Sequence, residues 1–173
     1  MLALLSYEAP FGAALLNRSL CVVDKTVILS LEVKMSIFEI ETLIREEQDR
    51  TSGCFIEKEK IEEYIEKLKI NAEILSHHVR GSCAGFVAFY CNADDKKLAF
   101  ITLVLVSPEF RGLKISKCLV SAVLSLARAR GFSQCALEVK AGNQSAISLY
   151  KELGFTISSF SQNTLFMTTP LKS

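Results

Sequence analysis

Arg111, Lys114 and Lys117 crowd one short loop in the stretch Leu105–Lys117 (LVSPEFRGLKISK). An apolar run ends at Ser107-Pro108, and helical spacing of apolar residues begins at Ile115, so the loop opens a helix. The first turn of a helix leaves N–H groups unpaired, and the helix dipole adds positive potential there. That geometry with three cations suits a pyrophosphate, although the same segment also reads as an ordinary turn with solvated basic residues. The second stretch is Leu137–Phe155 (LEVKAGNQSAISLYKELGF). Asn143 can cap a helix while its amide reaches a ligand. Tyr150 lies seven residues on, two turns along the same face, with small Ala146 between them. Taken singly, these are a plain N-cap and a half-buried packing tyrosine. Together, downstream of a phosphate-type loop, they mark a face that a ligand can approach.

The elements that must position these residues follow from apolar spacing. Residues 21–34 are β-rich and give a first strand or two. Ser36 followed by Glu39 is a capping-box pattern, and Ile37, Ile40 and Ile44 continue it as a helix over about 36–48. A second helix over about 57–69 carries Ile61, Tyr64, Ile65 and Leu68 on one stripe. The period then changes. Runs at 72–79, 82–91 and 97–106 predict strands, separated by Arg80-Gly81 and by Asn92–Asp95. A long helix over about 115–130 ends at Gly131. Residues 134–140 predict a strand, 143–152 a helix, and 155–160 with 164–169 a final strand pair. Strand–helix–strand over 97–140 implies a parallel crossover in a mostly antiparallel sheet.

Composition narrows the function classes. Half the residues are hydrophobic and 23% are charged, which supports one compact domain with a substantial core. Twenty basic against nineteen acidic residues leave no excess for a general nucleic-acid binder. Six cysteines at 21, 54, 83, 91, 118 and 135 include no C-x-x-C pair and sit mostly in apolar runs. They predict reduced thiols in a cytoplasmic protein. Met1–Leu16 is fairly apolar but lacks a basic start and is interrupted by Glu8 and Pro10, so no secretory signal is expected. No stretch reaches the roughly 18–20 apolar residues of a membrane span. His/Cys/Asp/Glu spacing gives no metal site.

The loop V-x-P-x-F-R-G, followed by L-E-V-x-x-x-N-x-x-A-x-x-L-Y-x-x-L-G-F, resembles the acetyl-CoA core of the GNAT superfamily over roughly residues 82–169. The second segment is also similar to that of the ribosomal-protein alanine N-acetyltransferases. The resemblance implies an α/β (α+β) fold: a mixed, mostly antiparallel central sheet with a parallel crossover and about four flanking helices. It implies a single domain over 1–173, with 1–34 as an unassigned extension and first strand. The family favours R/Q-x-x-G-x-G/A in its loop; here Arg111 fills the first position, and Lys114 and Ser116 stand where glycines are usual.

Carried onto this sequence, the resemblance makes acetyl-CoA the acyl donor. The backbone of Val104, Leu105 and Val106 would pair with the pantetheine arm. The loop Arg111, Gly112, Leu113, Lys114, Ile115, Ser116 and Lys117 would hold the pyrophosphate, and Asn143 would contact the cofactor arm near the thioester. Tyr150 would protonate the departing thiolate, and Glu138 would take the proton from the amine, directly or through water. An amine must lose a proton to attack, and a thiolate leaves better beside a donor. Glu138 also reads as a strand-end carboxylate facing solvent.

Other candidates are weaker. His77 and His78 alternate across a strand, so at most one faces any site. Cys118 and Cys135 lie near the cofactor segments with no base at readable spacing. The leading expectation is transfer of an acetyl group to a primary amine of a small molecule (an amino acid, polyamine or amino sugar) by direct attack in a ternary complex. The alternatives are a protein N-terminal or lysine acetyltransferase, a CoA-binding regulatory pseudo-enzyme, and a nonenzymatic scaffold. Neither nucleic acid nor membrane is expected as a partner, and the chain is read as a monomer or homodimer.

Overall fold

The computed structural model describes residues 18–19, 21–23, 26–28, 37–52, 55–56 and 60–171, the first three groups as backbone only. The elements are β1 (Arg18–Ser19), β2 (Cys21–Val23), β3 (Thr26–Ile28), α1 (Ile37–Arg50), α2 (Ile61–Asn71), β4 (Glu73–Val79), β5 (Ser82–Tyr90), β6 (Leu98–Val106), α3 (Ile115–Ala129), β7 (Gln134–Lys140), α4 (Gln144–Glu152), β8 (Thr156–Ser161) and β9 (Thr164–Pro170), with a 3-10 turn at Pro108–Phe110. Of the strand-rich start expected over 21–34, residues 21–23 and 26–28 form the antiparallel pair β2/β3, and 24–25 and 29–34 lie outside the described residues. The expected cap at Ser36 and the helix start at 57–59 lie outside the described residues.

The main sheet runs β1-β4-β5-β6-β7-β9-β8. Its pairs are antiparallel except β1/β4 and β6/β7. The crossover from β6 through α3 to β7 is therefore the parallel unit expected from the sequence. Arg80 and Gly81 both take positive φ (52° and 84°), which is the two-residue turn that matches the twist of a hairpin.

Strand alternation puts apolar residues on both faces of the sheet, and helices cover each. On one face Val87, Phe89, Ile101, Leu137 and Met167 meet Leu119 and Val123 of α3 and Ile147 of α4. On the other, Ile74, Phe86, Ala88 and Leu105 meet Ile40 and Ile44 of α1 and Ile65 and Leu68 of α2. A Cβ at Gly85 would lie 2.7 Å from the Leu105 carbonyl oxygen, so β5 and β6 approach each other here as only glycine allows. Gly85→Ala is expected to lose about 1–3 kcal/mol, as overpacked sites do. Thermal unfolding should show this as a fall in Tm of several degrees, and an unchanged Tm would contradict the close approach.

Candidate active site

β6 and β7 pair from Leu98↔Gln134 to Ile101↔Leu137 and no further. Beyond that point β6 stays with β5 as far as Val106, and β7 stays with β9 as far as Lys140. The two parallel strands therefore part, and an open cleft of about 1050 Å³ lies between and above them. At the parting, Ala88 opposes Leu103 while Phe89 opposes Ile101, so Thr102 is an extra residue on β6. Such a bulge bends a strand and re-aims its groups. The Tyr64 hydroxyl on α2 sits 3.3 Å from both the Thr102 carbonyl oxygen and Oγ1.

The cleft edge of β6 follows from its register. The Ser107 N–H donates to the Ala84 carbonyl at 3.0 Å. Alternate residues of an antiparallel strand turn their polar groups to opposite edges. Leu105 therefore serves β5, and Val104 and Val106 present theirs to the cleft. After the 3-10 turn, Gly112 (φ 81°) and Lys114 (φ 59°) bend the chain into α3. The Lys114 carbonyl accepts the Cys118 N–H at 3.1 Å. The N–H groups of Ile115, Ser116 and Lys117 have no acceptor among the described residues, and these residues line the cleft. This is the helix-terminus arrangement that binds phosphate. Lys114 makes no ion pair among the described residues, and Lys117 makes an exposed one with Glu152 at 3.1 Å.

On the far wall Asn143 caps α4, its Oδ1 accepting the Ala146 N–H at 3.2 Å. Its amide nitrogen has no acceptor among the described residues. Tyr150 is 8% exposed and lines the cleft from α4, its ring edge-on to Phe155 at 5.9 Å. Its hydroxyl has no hydrogen-bond partner among the described residues, and burial pushes its pKa up to about 12. Glu138 stands opposite Phe166 on β9, between Leu137 and Val139, which are buried against α3 and α4. Alternation along the strand turns Glu138 to the other face, the α1/α2 side. It is half-buried there, and burial raises its pKa. Carboxylate and phenol thus reach one cleft from opposite faces of the sheet.

The model of the acetyltransferase (GNAT) family matches residues 38–155. The chain belongs to the GNAT acetyltransferase family. It is 28% identical to the spermidine N(1)-acetyltransferase of Thermoplasma acidophilum over 145 residues, covering 75% of this chain and 90% of that protein. It is 31% identical to a putative [ribosomal protein bS18]-alanine N-acetyltransferase of Bacillus subtilis over 74 residues, 43% of this chain and 47% of that one. Other curated relatives are matched over only 22% to 36% of their own lengths. The crystal structure of the PaiA N-acetyltransferase from T. acidophilum in complex with coenzyme A superposes with a TM-score of 0.63 at 20% identity, covering 78% of this chain and 92% of that one. At that identity the likeness is one of fold.

In this GNAT domain most of the expected residues line one cleft: Val104, Leu105 and Val106 on β6, then Arg111, Gly112, Lys114, Ile115, Ser116 and Lys117, and Glu138, Asn143 and Tyr150 across from them. Leu113 does not line it and is 62% exposed. Leu105 directs its backbone to β5 and buries its side chain under α1 and α2, so it offers the cleft no free polar group. Arg111, expected among the phosphate ligands, lines the cleft with its side chain 42% exposed, and its guanidinium is engaged by protein acceptors. Its Nε donates to the Val106 carbonyl at 3.2 Å and its Nη2 to Glu47 Oε2 at 2.8 Å. His77 and His78 lie away from the cleft, as do Cys118 and Cys135. His78 faces Glu39 at 3.8 Å, and burial pushes the Cys135 thiol up to about 12. Among the described residues no group of His, Cys, Asp and Glu is placed to hold a metal, and no helix is long and apolar enough to cross a membrane.

Sequence reasoning missed Tyr64 and Glu47. Tyr64 reads as one more member of an apolar stripe, and its only signal is a polar tip on that stripe. Glu47 reads as a solvated helix residue. Its signal is position, since an acid in the last turn of a helix opposes the dipole unless a cation compensates.

Lys114 sits at φ 59° where the family pattern has glycine. A non-glycine residue in that region costs about 1–2 kcal/mol, against about 0.4–1 kcal/mol of unfolded-state entropy for glycine. Lys114→Gly should therefore raise Tm slightly and flatten the salt dependence of acetyl-CoA binding. A lower Tm would show that the Lys114 side chain holds the loop.

Proposed function

We propose that this chain transfers the acetyl group of acetyl-CoA to a primary amine of a small molecule, by direct attack in a ternary complex. The observation that carries the reading is the pairing across one cleft of a half-buried carboxylate, Glu138, with an unpartnered tyrosine hydroxyl, Tyr150, on a GNAT fold. The free N–H groups that start α3 fit a pyrophosphate, and Lys114 adds charge. The edge of β6 at Val104 and the N–H of Val106 fit an amide-bearing arm. Bound there, acetyl-CoA supplies an acetyl group already activated as a thioester. Glu138 accepts the proton that the amine must lose on the α1/α2 face. The Val104 N–H faces the position of the developing oxyanion. On the α4 face Tyr150 donates a hydrogen bond to the sulfur as its bond to carbon breaks.

Charge in the cleft favours a mono-amine, such as an amino acid or amino sugar, over a polyamine. Five basic residues line it (Arg50, Arg111, Lys114, Lys117 and Lys140) against Glu47, Glu138 and Glu152. Glu47 is held by two arginines and Glu152 by Lys117. A polycation would therefore find one uncommitted carboxylate, Glu138. A protein N-terminus is the second reading, supported by the Bacillus relative. Thiol release from acetyl-CoA with amino acids, amino sugars, spermidine and a peptide N-terminus as acceptors tests both. The reading expects a mono-amine to give the highest kcat/KM. Acetyl-CoA binding without turnover of any amine would instead indicate a CoA-binding regulatory domain.

A further inference from the structure

Glu47 lies in the last turn of α1, its side chain only 10% exposed, yet it carries two guanidinium partners. Arg50 Nε donates to Glu47 Oε2 at 2.7 Å, and Arg111 Nη2 donates to the same oxygen at 2.8 Å. Arg111 lies 64 residues on, after the end of β6, and its Nε also donates to the Val106 carbonyl. The neighbouring residue, Gln48, binds the backbone of Ile56 twice, its Nε2 donating to the carbonyl and its Oε1 accepting the N–H, both at 2.8 Å. Ile56 and Phe55 line the cleft on the α1/α2 side.

A continuous chain of bonds therefore runs from Ile56 through Gln48 and Glu47 to Arg111 and the end of β6. One end is the wall an acceptor would touch. The other heads the loop Gly112–Lys117. The bonds at Ile56 and between Arg111 and Glu47 are 2.8 Å long, and the central carboxylate is nearly sealed from water, where a charge-assisted bond is strong and its loss is costly.

We propose that Glu47 is a positioning residue that couples the donor loop to the acceptor wall, so that occupancy of the loop orders the wall. The inference rests on the acetyl-CoA reading above. Arg111 then acts as the strut between the two sites rather than as a phosphate ligand. A ligand that orders the loop fixes Arg111. Through Glu47 and Gln48 it fixes the backbone at Ile56, which must otherwise be ordered when the acceptor binds. Donor binding therefore tightens acceptor binding, and linkage makes the effect reciprocal.

Amide hydrogen exchange with and without coenzyme A, on wild type and Glu47→Gln, tests this without needing turnover. In the wild type, coenzyme A should protect both residues 107–118 and the amides of Phe55 and Ile56. In Glu47→Gln, protection should remain at 107–118 and be lost at Phe55 and Ile56. Where an amine is turned over, the acceptor KM at saturating acetyl-CoA should rise at least about fivefold in the variant, and Arg111→Gln added to Glu47→Gln should add nothing further. A role in stability alone would instead lower Tm and give additive effects. Protection of both segments in the variant, or of 107–118 alone in the wild type, overturns the coupling and leaves the acetyl-CoA reading standing. No protection anywhere in the wild type overturns both. If Glu47→Gln does not fold, Arg111→Gln carries the same test, with protection at Phe55 and Ile56 the loss expected.

Discussion

Replacing Tyr150 by phenylalanine is expected to lower kcat by at least an order of magnitude while leaving the KM for acetyl-CoA nearly unchanged. A hydrogen-bond donor aimed at charge that develops in the transition state is worth about 10²–10³ in rate. Tyr150 is placed to give it: the residue lines the cleft, its hydroxyl has no hydrogen-bond partner among the described residues, and burial pushes its pKa up to about 12. A free thiol has an ordinary pKa of about 8.5, so a phenol near 12 stabilises the departing sulfur mainly by hydrogen bonding, and solvent completes the proton transfer. The substitution keeps the ring, its edge contact with Phe155 and its burial. Removing an unpartnered hydroxyl from a nearly buried site costs little stability. Tm should therefore stay within about a degree or two of wild type, and kcat alone should respond. A Tyr150→Phe enzyme with unchanged kcat would falsify the donor role and leave the residue as packing for α4.

Glu138→Gln is expected to lose about 10²–10⁴ in kcat/KM at neutral pH and to recover part of that loss as pH rises and more of the amine is unprotonated. The wild-type profile should show an acid limb with a midpoint above the ordinary carboxylate value of 4.5, because burial raises the Glu138 pKa. The sign for stability runs the other way from activity. A carboxyl whose folded pKa exceeds its unfolded one penalises the folded state once ionised, and the penalty fades as pH falls through the folded pKa. The glutamine variant should thus be at least as stable as wild type at pH 7, so that lost activity cannot be charged to unfolding. Full turnover across pH 6–9 would remove Glu138 from the mechanism and leave water to accept the proton.

Legibility in the sequence divided along a physical line. β4 through β9 and helices α1, α3 and α4 lie within two residues of where apolar period and turn residues placed them, because those signals are local; α2 begins at Ile61, four residues after its expected start, part of which lies outside the described residues. The cleft walls at Glu138, Asn143 and Tyr150 were readable because one strand and one capped helix, joined by a short turn, set all three. The parting of β6 from β7, the extra residue at Thr102 and the direction of the Leu105 backbone are matters of register between strands, and no local pattern encodes them. The contact of Arg111 with Glu47 was hidden for a related reason. A guanidinium in a phosphate-type loop looks like an anion ligand until the fold brings Glu47 beside it. Lys114 shows the reverse case. The loop keeps its left-handed turn although a lysine stands where glycine would relax it, so the geometry persisted through a residue that strains it.

Thermal unfolding of the wild-type protein against rising acetyl-CoA tests the central claim most directly. A ligand that binds only the folded state stabilises it by RT ln(1 + [L]/Kd), about 2.7 kcal/mol at one hundred times Kd, or roughly 5–10 °C for a chain of this size. The account predicts a Tm that climbs with the logarithm of acetyl-CoA concentration, and a smaller climb at high salt as the start of α3 is screened. A well-folded sample whose Tm does not move at millimolar acetyl-CoA would contradict it.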